Sequence, residues 1–310
     1  MPCSIVPSMR SKVMSMRQAV AEHVSDGALV CIEGFTHLIP HAVGHEIIRQ
    51  QRRDLTLVRL TPDLIADQMI AAGCVRKLVF SWMGNPGVGS LQVGRREVEA
   101  GRLEIEEWTH FGLTTRYQAG AAGLSFLPIK SFRGSDLPAV NPLISTVTDP
   151  YTGEETFVVP AINPDVTVIH VQRADARGNA QVWGLLGCQR EAAFAAKSVI
   201  VVCEELVEES VIRADPNRTL VTELIVDAVV VEPWGCHPSF AQGYQDRDNR
   251  FYLDWDDLSR DPVRLEQWLD EWVRGTADHT EYLAKLGEDR LAALRPGERW
   301  SAPVNYGRYA

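Results

Sequence analysis

No apolar stretch in this chain approaches the ~18 residues that a membrane-spanning helix needs. Residues 1–17 mix methionine with basic side chains and hold no continuous apolar run, so no signal peptide is expected. Positive charge is in deficit: Lys and Arg number 31 against 41 Asp and Glu, a formal net charge of −10. That balance disfavours nucleic acid or an anionic membrane as a partner. It leaves room for small anions, which local arginines and backbone N–H groups can hold. Cysteine is sparse and scattered (Cys3, Cys31, Cys74, Cys188, Cys203, Cys236), with no C-x-x-C pair. Cys31 and Cys203 sit inside apolar runs and read as buried small hydrophobes; no disulfide framework is expected, and the pattern suits a reducing cytoplasm. No serine stands in a G-x-S-x-G elbow, which disfavours a hydrolase triad. No repeat recurs at a solenoid period.

What is present is a chain of 310 residues, 45% apolar, long enough for one large or two modest domains of roughly 150 residues each. Runs at 28–32, 55–60, 77–80, 103–105, 166–171, 199–203 and 225–231 predict strands. Several are nearly continuous in Val, Ile and Leu, as in parallel strands buried on both faces. Helical patterns fall between them, at 16–24, 42–51, 63–72, 113–122 and 188–196. This alternation predicts an α/β fold of the open Rossmann-like type, with a mostly parallel sheet. An amphipathic segment at 263–274, carrying Leu265, Trp268, Leu269 and Trp272 on one face, and a helical pattern at 280–294 predict a C-terminal helical appendage with an irregular tail. The expected division is an α/β body over residues 1–257 and the appendage over 258–310, within one domain.

Several segments are candidate sites. The turn and strand from Asp26 end at Glu33-Gly34-Phe35, where backbone N–H groups either face a ligand or build a strand-to-helix turn. His37, His41 and His45 are spaced four apart, but Pro40 is expected to start the helix and leave His37 outside it; caps and core packing explain these histidines better than a metal does. Gly84-Asn85-Pro86-Gly87-Val88-Gly89-Ser90 resembles a phosphate cradle without the P-loop lysine, and a structured loop beside a site is the modest reading. Asp175, Gly178 and Asn179 carry turn chemistry. Glu204 and Glu205, at the end of a buried strand, are either acid/base groups or solvated acids. Residues 244–256 read as a charge-latched surface loop or a partner interface.

The densest signal lies between Glu104 and Pro128. Leu103 and Ile105 alternate with Glu104 and Glu106, as in a short strand with its apolar side chains on one face. The run stops at Glu107-Trp108-Thr109-His110. Gly112 opens a helix rich in small residues (Ala119, Gly120, Ala121, Ala122, Gly123), which lets a backbone or a ligand approach closely. A polar residue at a strand-to-helix junction is how α/β proteins place a site.

Arg116-Tyr117-Gln118-Ala119-Gly120-Ala121-Ala122-Gly123, running into Phe126-Leu127-Pro128, resembles the Arg-x-x-Ala-Gly-x-x-Gly helix of family I CoA-transferases, specifically the A (alpha) subunit of the glutaconate CoA-transferase type. The Asp26–Phe35 strand resembles that family's first-strand signature, and the segments at 81–90, 174–187 and 237–254 resemble it too. Two departures stand out. Glu33 occupies the place of the first signature glycine, and His110 stands where 3-oxoacid members carry glutamine and ring-opening hydrolase relatives carry a glutamate nearby.

The resemblance implies a CoA thioester as substrate, no permanently bound cofactor and no metal, flavin or nicotinamide. It also implies a partner: the family nucleophile is a glutamate of the beta subunit, and no such segment occurs here. A heterotetramer or larger assembly is expected. By the same resemblance His110 is expected to stabilise the oxyanion, with Glu107 orienting it. Gly34 and Phe35 are expected to floor the acyl pocket, Ser81 and Asn85 to hold the substrate carboxylate, and Arg116 or Arg173 either to neutralise it or to serve only as a helix or turn ion pair. An acyl-CoA hydrolase or a decarboxylase on the same scaffold, or a non-catalytic sensor of the related isomerase-like fold, remain as alternatives.

Overall fold

The computed structural model describes residues 11–297; Cys3 and the tail beyond Gly297 lie outside the described residues. In chain order the elements are α1 (Met16–His23), β1 (Leu29–Glu33), α2 (His41–Arg49), β2 (Leu55–Val58), α3 (Leu64–Ala71), β3 (Val75–Phe80), α4 (Gln92–Glu99), β4 (Glu104–Glu107), α5 (His110–Ala121), β5 (Phe126–Ile129), α6 (Leu137–Val140), β6 (Ser145–Thr148), β7 (Glu155–Pro160), β8 (Val166–Ala174), β9 (Ala180–Gln181), α7 (Gln189–Ala195), β10 (Ser198–Leu206), α8 (Glu209–Ala214), β11 (Thr219–Val221), β12 (Ala228–Val231), α9 (Asn249–Leu258), α10 (Pro262–Leu269), α11 (His279–Leu286) and α12 (Glu288–Ala293).

The seven expected strands all form, and they lie side by side in the order β12-β10-β8-β1-β2-β3-β4, every neighbouring pair parallel. From β1 the chain winds outward through β2, β3 and β4. It then returns to place β8 on the other side of β1 and winds outward again through β10 and β12. β1 and β8 therefore flank a topological switch point, where loops diverge at the carboxyl ends of the strands and leave a crevice. Apolar side chains fill both faces of the sheet: one core holds Val30, Ile32, Val166, Val168, Ile200 and Val202 under α1, α2 and α3, and the other face packs under α5 and α7. Burial on both faces is why these strands read as continuous Val/Ile/Leu runs rather than alternating ones.

Five features differ from the sequence-based expectation. A separate antiparallel sheet, β5-β7-β6, follows α5; its strands carry no clear apolar alternation, and β6 is exposed along its whole length. Helix α5 starts at His110, three residues early, because the Thr109 hydroxyl caps it by accepting from the Gly112 N–H at 2.9 Å. Part of the expected surface loop at 244–256 is helix α9, capped by Asp248. Ile105 does not join Leu103 in the core: β4 is an edge strand, Ile105 is 44% exposed, and Glu106 is the side chain that turns inward. The C-terminal helices pack on the α/β body: Trp255, Leu265, Leu269 and Val273 belong to the same core as α2 and α3. The pattern at 280–294 is two helices, interrupted at Gly287 with φ +85°.

Candidate active site

The carboxyl ends of β1, β3 and β4 carry most of the sequence-predicted site residues. Gly34 follows β1, and only glycine fits there: a Cβ would lie 2.5 Å from the Leu38 carbonyl oxygen. The loop it opens holds Thr36 and Leu38 at φ +57° and +53°, left-handed conformations that side chains other than glycine adopt at a cost of order 1 kcal/mol each. The buried Arg59 guanidinium braces this loop from inside, donating to the carbonyls of Ile32, Gly34 and Thr61. Phe35 follows Gly34, half-buried. Its ring meets the His110 ring edge-on, with centroids 6.2 Å apart, and the loop before α7 packs on it at Gly187.

His110 is the first residue of α5 and is exposed. Partial burial lowers its pKa below the usual value for histidine, and the positive end of the helix dipole acts in the same direction. The ring is therefore neutral at physiological pH and offers one N–H donor. Among the described residues, no hydrogen bond or ion pair joins Glu107 to His110; burial alone accounts for the histidine's shift. The Glu107 contact within the fold is through its backbone carbonyl, which accepts from the Asn141 amide at 2.8 Å.

Arg116 is not placed to meet a substrate. Its side chain is buried and donates to the Glu106 carboxylate and, at 3.0 Å, to the Pro160 carbonyl, while stacking over Trp108 at 4.4 Å. Lys77 and the Trp108 indole N–H complete the ring of donors around Glu106. An arginine on α5 is needed here because the edge strand turns an acid inward. The small residues later in α5 have an equally local cause: a Cβ on Gly120 would come within 2.4 Å of the Ile162 carbonyl oxygen and 3.1 Å of Ala195 on α7. They bring helix and backbone together, not a ligand. Arg173 is likewise taken, by Glu205 at 3.0 Å and by the Tyr244 hydroxyl.

Ser81 donates its hydroxyl to the Leu60 carbonyl, fastening the end of β3 to that of β2. Asn85 closes a tight turn with Gly89, and its buried side-chain oxygen has no hydrogen-bond partner among the described residues. An unpaired polar atom of this kind costs about 1–3 kcal/mol. Arg247 donates to the Pro86 carbonyl at 2.8 Å and pins the glycine-rich loop.

The remaining candidates build structure. His37 bonds the Leu185 carbonyl and the Gln242 N–H; His41 and His45 are buried on α2, and His45 bonds Gln68 at 2.9 Å. Asp175 accepts three backbone N–H groups in its turn. Glu204 is buried and accepts from His170 at 2.7 Å and from the Trp234 N–H at 2.7 Å. His170, Glu204 and Cys236 form the one group with metal-ligand spacing among the described residues, their ligand atoms within 4.8 Å. The carboxylate already accepts from all three neighbours, the Cys236 thiol included at 3.7 Å.

A parallel sheet wound both ways from β1, with the rings of Phe35 and His110 meeting at its carboxyl edge, defines an open α/β protein of the Rossmann-like class, a class that takes its ligands at such a switch point. The coenzyme A transferase family model matches residues 13–232. The chain is 50% identical over 283 residues to the A subunit of the 3-oxoadipate CoA-transferase of Pseudomonas knackmussii, across 90% of this chain and 100% of that one. Its fold superposes on the crystal structure of glutaconate coenzyme A-transferase from Acidaminococcus fermentans with a TM-score of 0.89 at 33% identity, covering 93% and 96% of the two chains. A more distant similarity, 28% identity across 90% of this chain and 97% of the other, is to the IpdA subunit of a cholesterol ring-cleaving hydrolase from Rhodococcus jostii. The chain belongs to the coenzyme A transferase family.

Proposed function

We propose that this chain is the alpha subunit of a two-subunit CoA-transferase that moves CoA between an acyl-CoA and a free carboxylic acid, with 3-oxoadipate as the first acid to try. The name of the 50% identical relative supports that substrate and the partner subunit. In this reading a glutamate of the second subunit attacks the thioester carbonyl and expels CoA as its thiolate, leaving an acyl-glutamyl anhydride. The thiolate then attacks the glutamyl carbonyl and releases the acyl carboxylate, so that CoA is held on the enzyme as a thioester. A second carboxylate accepts it by the reverse sequence. Every addition passes through an oxyanion, and a fixed donor that meets it speeds each one.

The observation that carries this reading is the His110 ring: neutral, at the first turn of α5, exposed at the crevice and held edge-on against Phe35. A neutral imidazole N–H there donates to the oxyanion without leaving a charge that must be neutralised in the ground state. Gly34 and Phe35 form the wall against the acyl chain, and Asn85, in the turn after β3, is the group assigned to the substrate carboxylate. The test is His110→Ala in the reconstituted two-subunit enzyme. Turnover is expected to fall by about two to three orders of magnitude, the usual loss of one oxyanion donor; wild-type turnover by the variant would sink the assignment. Borohydride reduction of an enzyme–CoA thioester marks the partner's glutamate in the transferase and separates it from a hydrolase or decarboxylase that uses a different nucleophile.

A further inference from the structure

Glu33, the last residue of β1, is an acid inside the core. It is 2% exposed, and one carboxylate oxygen accepts from the Leu60 backbone N–H at 2.8 Å and from the Tyr117 hydroxyl at 2.9 Å. Burial raises its pKa, and the nearby Arg59 opposes that rise. An apolar side chain would fill the same space without the desolvation cost, so packing alone does not account for an acid here. The bonds have a direction that matters for the crevice. Leu60 lies just past β2. Tyr117 lies on α5 seven residues after His110, two turns along, and so on the same face of the helix. Gly34 and Phe35 follow Glu33 immediately. One buried carboxylate thus ties the strand end that carries Phe35 to the helix that carries His110, and these two rings meet at the top of the same seam.

We propose that Glu33 is a positioning residue: through Tyr117 it sets where α5 sits along β1, and so holds the His110 ring against Phe35 at the distance the crevice needs. This rests on the assignment of His110 as the oxyanion donor. Tyr117 is wholly buried in the apolar layer between sheet and α5, with Cys31 Sγ 3.2 Å from its hydroxyl. Tyr117→Phe therefore removes the tie and keeps the volume. Without it, α5 is free to shift by a fraction of an ångström, which misaligns a donor without unfolding the protein.

The experiment is a double-mutant cycle in the reconstituted complex, below the thermal transition of every variant. Tyr117→Phe is expected to lower kcat about tenfold, with KM for the acyl-CoA changed by less than about twofold. Glu33→Gln, which keeps an acceptor oxygen in place, is expected to retain most of the turnover, and Glu33→Met to match Tyr117→Phe. In the His110→Ala background, Tyr117→Phe is expected to leave kcat unchanged within about twofold, because there is no donor left to misalign. A general structural role predicts the same drop in both backgrounds; that result, or wild-type kcat for Tyr117→Phe alone, overturns the proposal while leaving His110 intact. If His110→Ala itself turns over like wild type, the donor assignment is what fails, and the positioning role falls with it.

Discussion

The two faces of the sheet meet the same carboxyl edge and treat histidine in opposite ways. On the α5 face, His110 is exposed and, among the described residues, bears no hydrogen bond to a side chain; its one ring contact is with Phe35, edge-on. On the α2 face, under the 232–248 segment, the histidines are buried. His170 is partnered by Glu204, His237 by Asp248 and the Tyr282 hydroxyl, and His45 by Gln68, while His41 has only the Asp63 carboxylate at 3.8 Å. Burial lowers the pKa of His45 to about 3 and of His37 to about 4, so both are neutral fixtures of the core. Burial opposes the shift at Asp248, yet hydrogen bonds from His237 and Arg290 hold its carboxyl below the usual range. The comparison teaches that a perturbed titration marks a site only where the ring is also exposed: burial pushes His41 well down and neither of its ring nitrogens has a hydrogen-bond partner among the described residues, yet it is sealed in the core. Three histidines at helical spacing were the louder sequence signal; the quiet one at a helix start is the one that solvent and a ligand can reach.

The contrast can be broken from either side. The largest effect expected is at His110, where alanine removes about two to three orders of magnitude of turnover while the melting temperature stays within a few degrees, since an exposed ring contributes little to stability. Glu204→Leu should do the reverse. It strands His170 and the Trp234 N–H, and urea unfolding is expected to show a loss of about 3 kcal/mol. A loss below about 1 kcal/mol would mean that the 232–248 segment is held by other contacts.

Acid should separate the faces next. The folded pKa of His45 lies below its unfolded value of 6.5. Its contribution to stability is complete above that pH and fades as pH falls toward 3, the loss reaching about 2 kcal/mol by pH 5. Glu232 and Asp67 act in the other direction, because burial raises their pKa values to about 7 and about 6. The histidine share is therefore read by difference: His45→Gln should lose less stability than wild type between pH 7.5 and 5, and equal losses would contradict it. The smallest effect expected is at Glu107, where Gln should leave turnover within about threefold, as for a surface change with no contact to the reacting groups. A tenfold fall would restore an orienting role to that carboxylate.

Much of the fold was legible because the parallel strands are covered on both faces and so carry runs such as Val166-Thr167-Val168-Ile169 and Val199-Ile200-Val201-Val202. The β5-β7-β6 sheet was not, because its outer strand is exposed along its length and has no apolar period to show. Ile105 misled for a related reason: alternation gives two faces, but only the neighbours decide what is inside, and at an edge strand Lys77 and Arg116 draw Glu106 inward while Glu104 and Ile105 stay exposed. The two readings of Arg116, substrate cation or ion pair, could not be separated along the chain, because the residue that takes its charge lies ten positions away in sequence and one hydrogen bond away in space.

The linear chain by itself determined the class of fold, the family likeness and the junction at which a polar residue would stand. Those depend on local periodicity, turn chemistry and motif spacing, all of which are written along the sequence. Tertiary structure alone decided which charges were free. Pairing energies are set by through-space distance and burial, and only the packed sheet could bring Glu106 to Arg116, Glu205 to Arg173 and Glu33 to Tyr117, while leaving the ring of His110 with its N–H unspent.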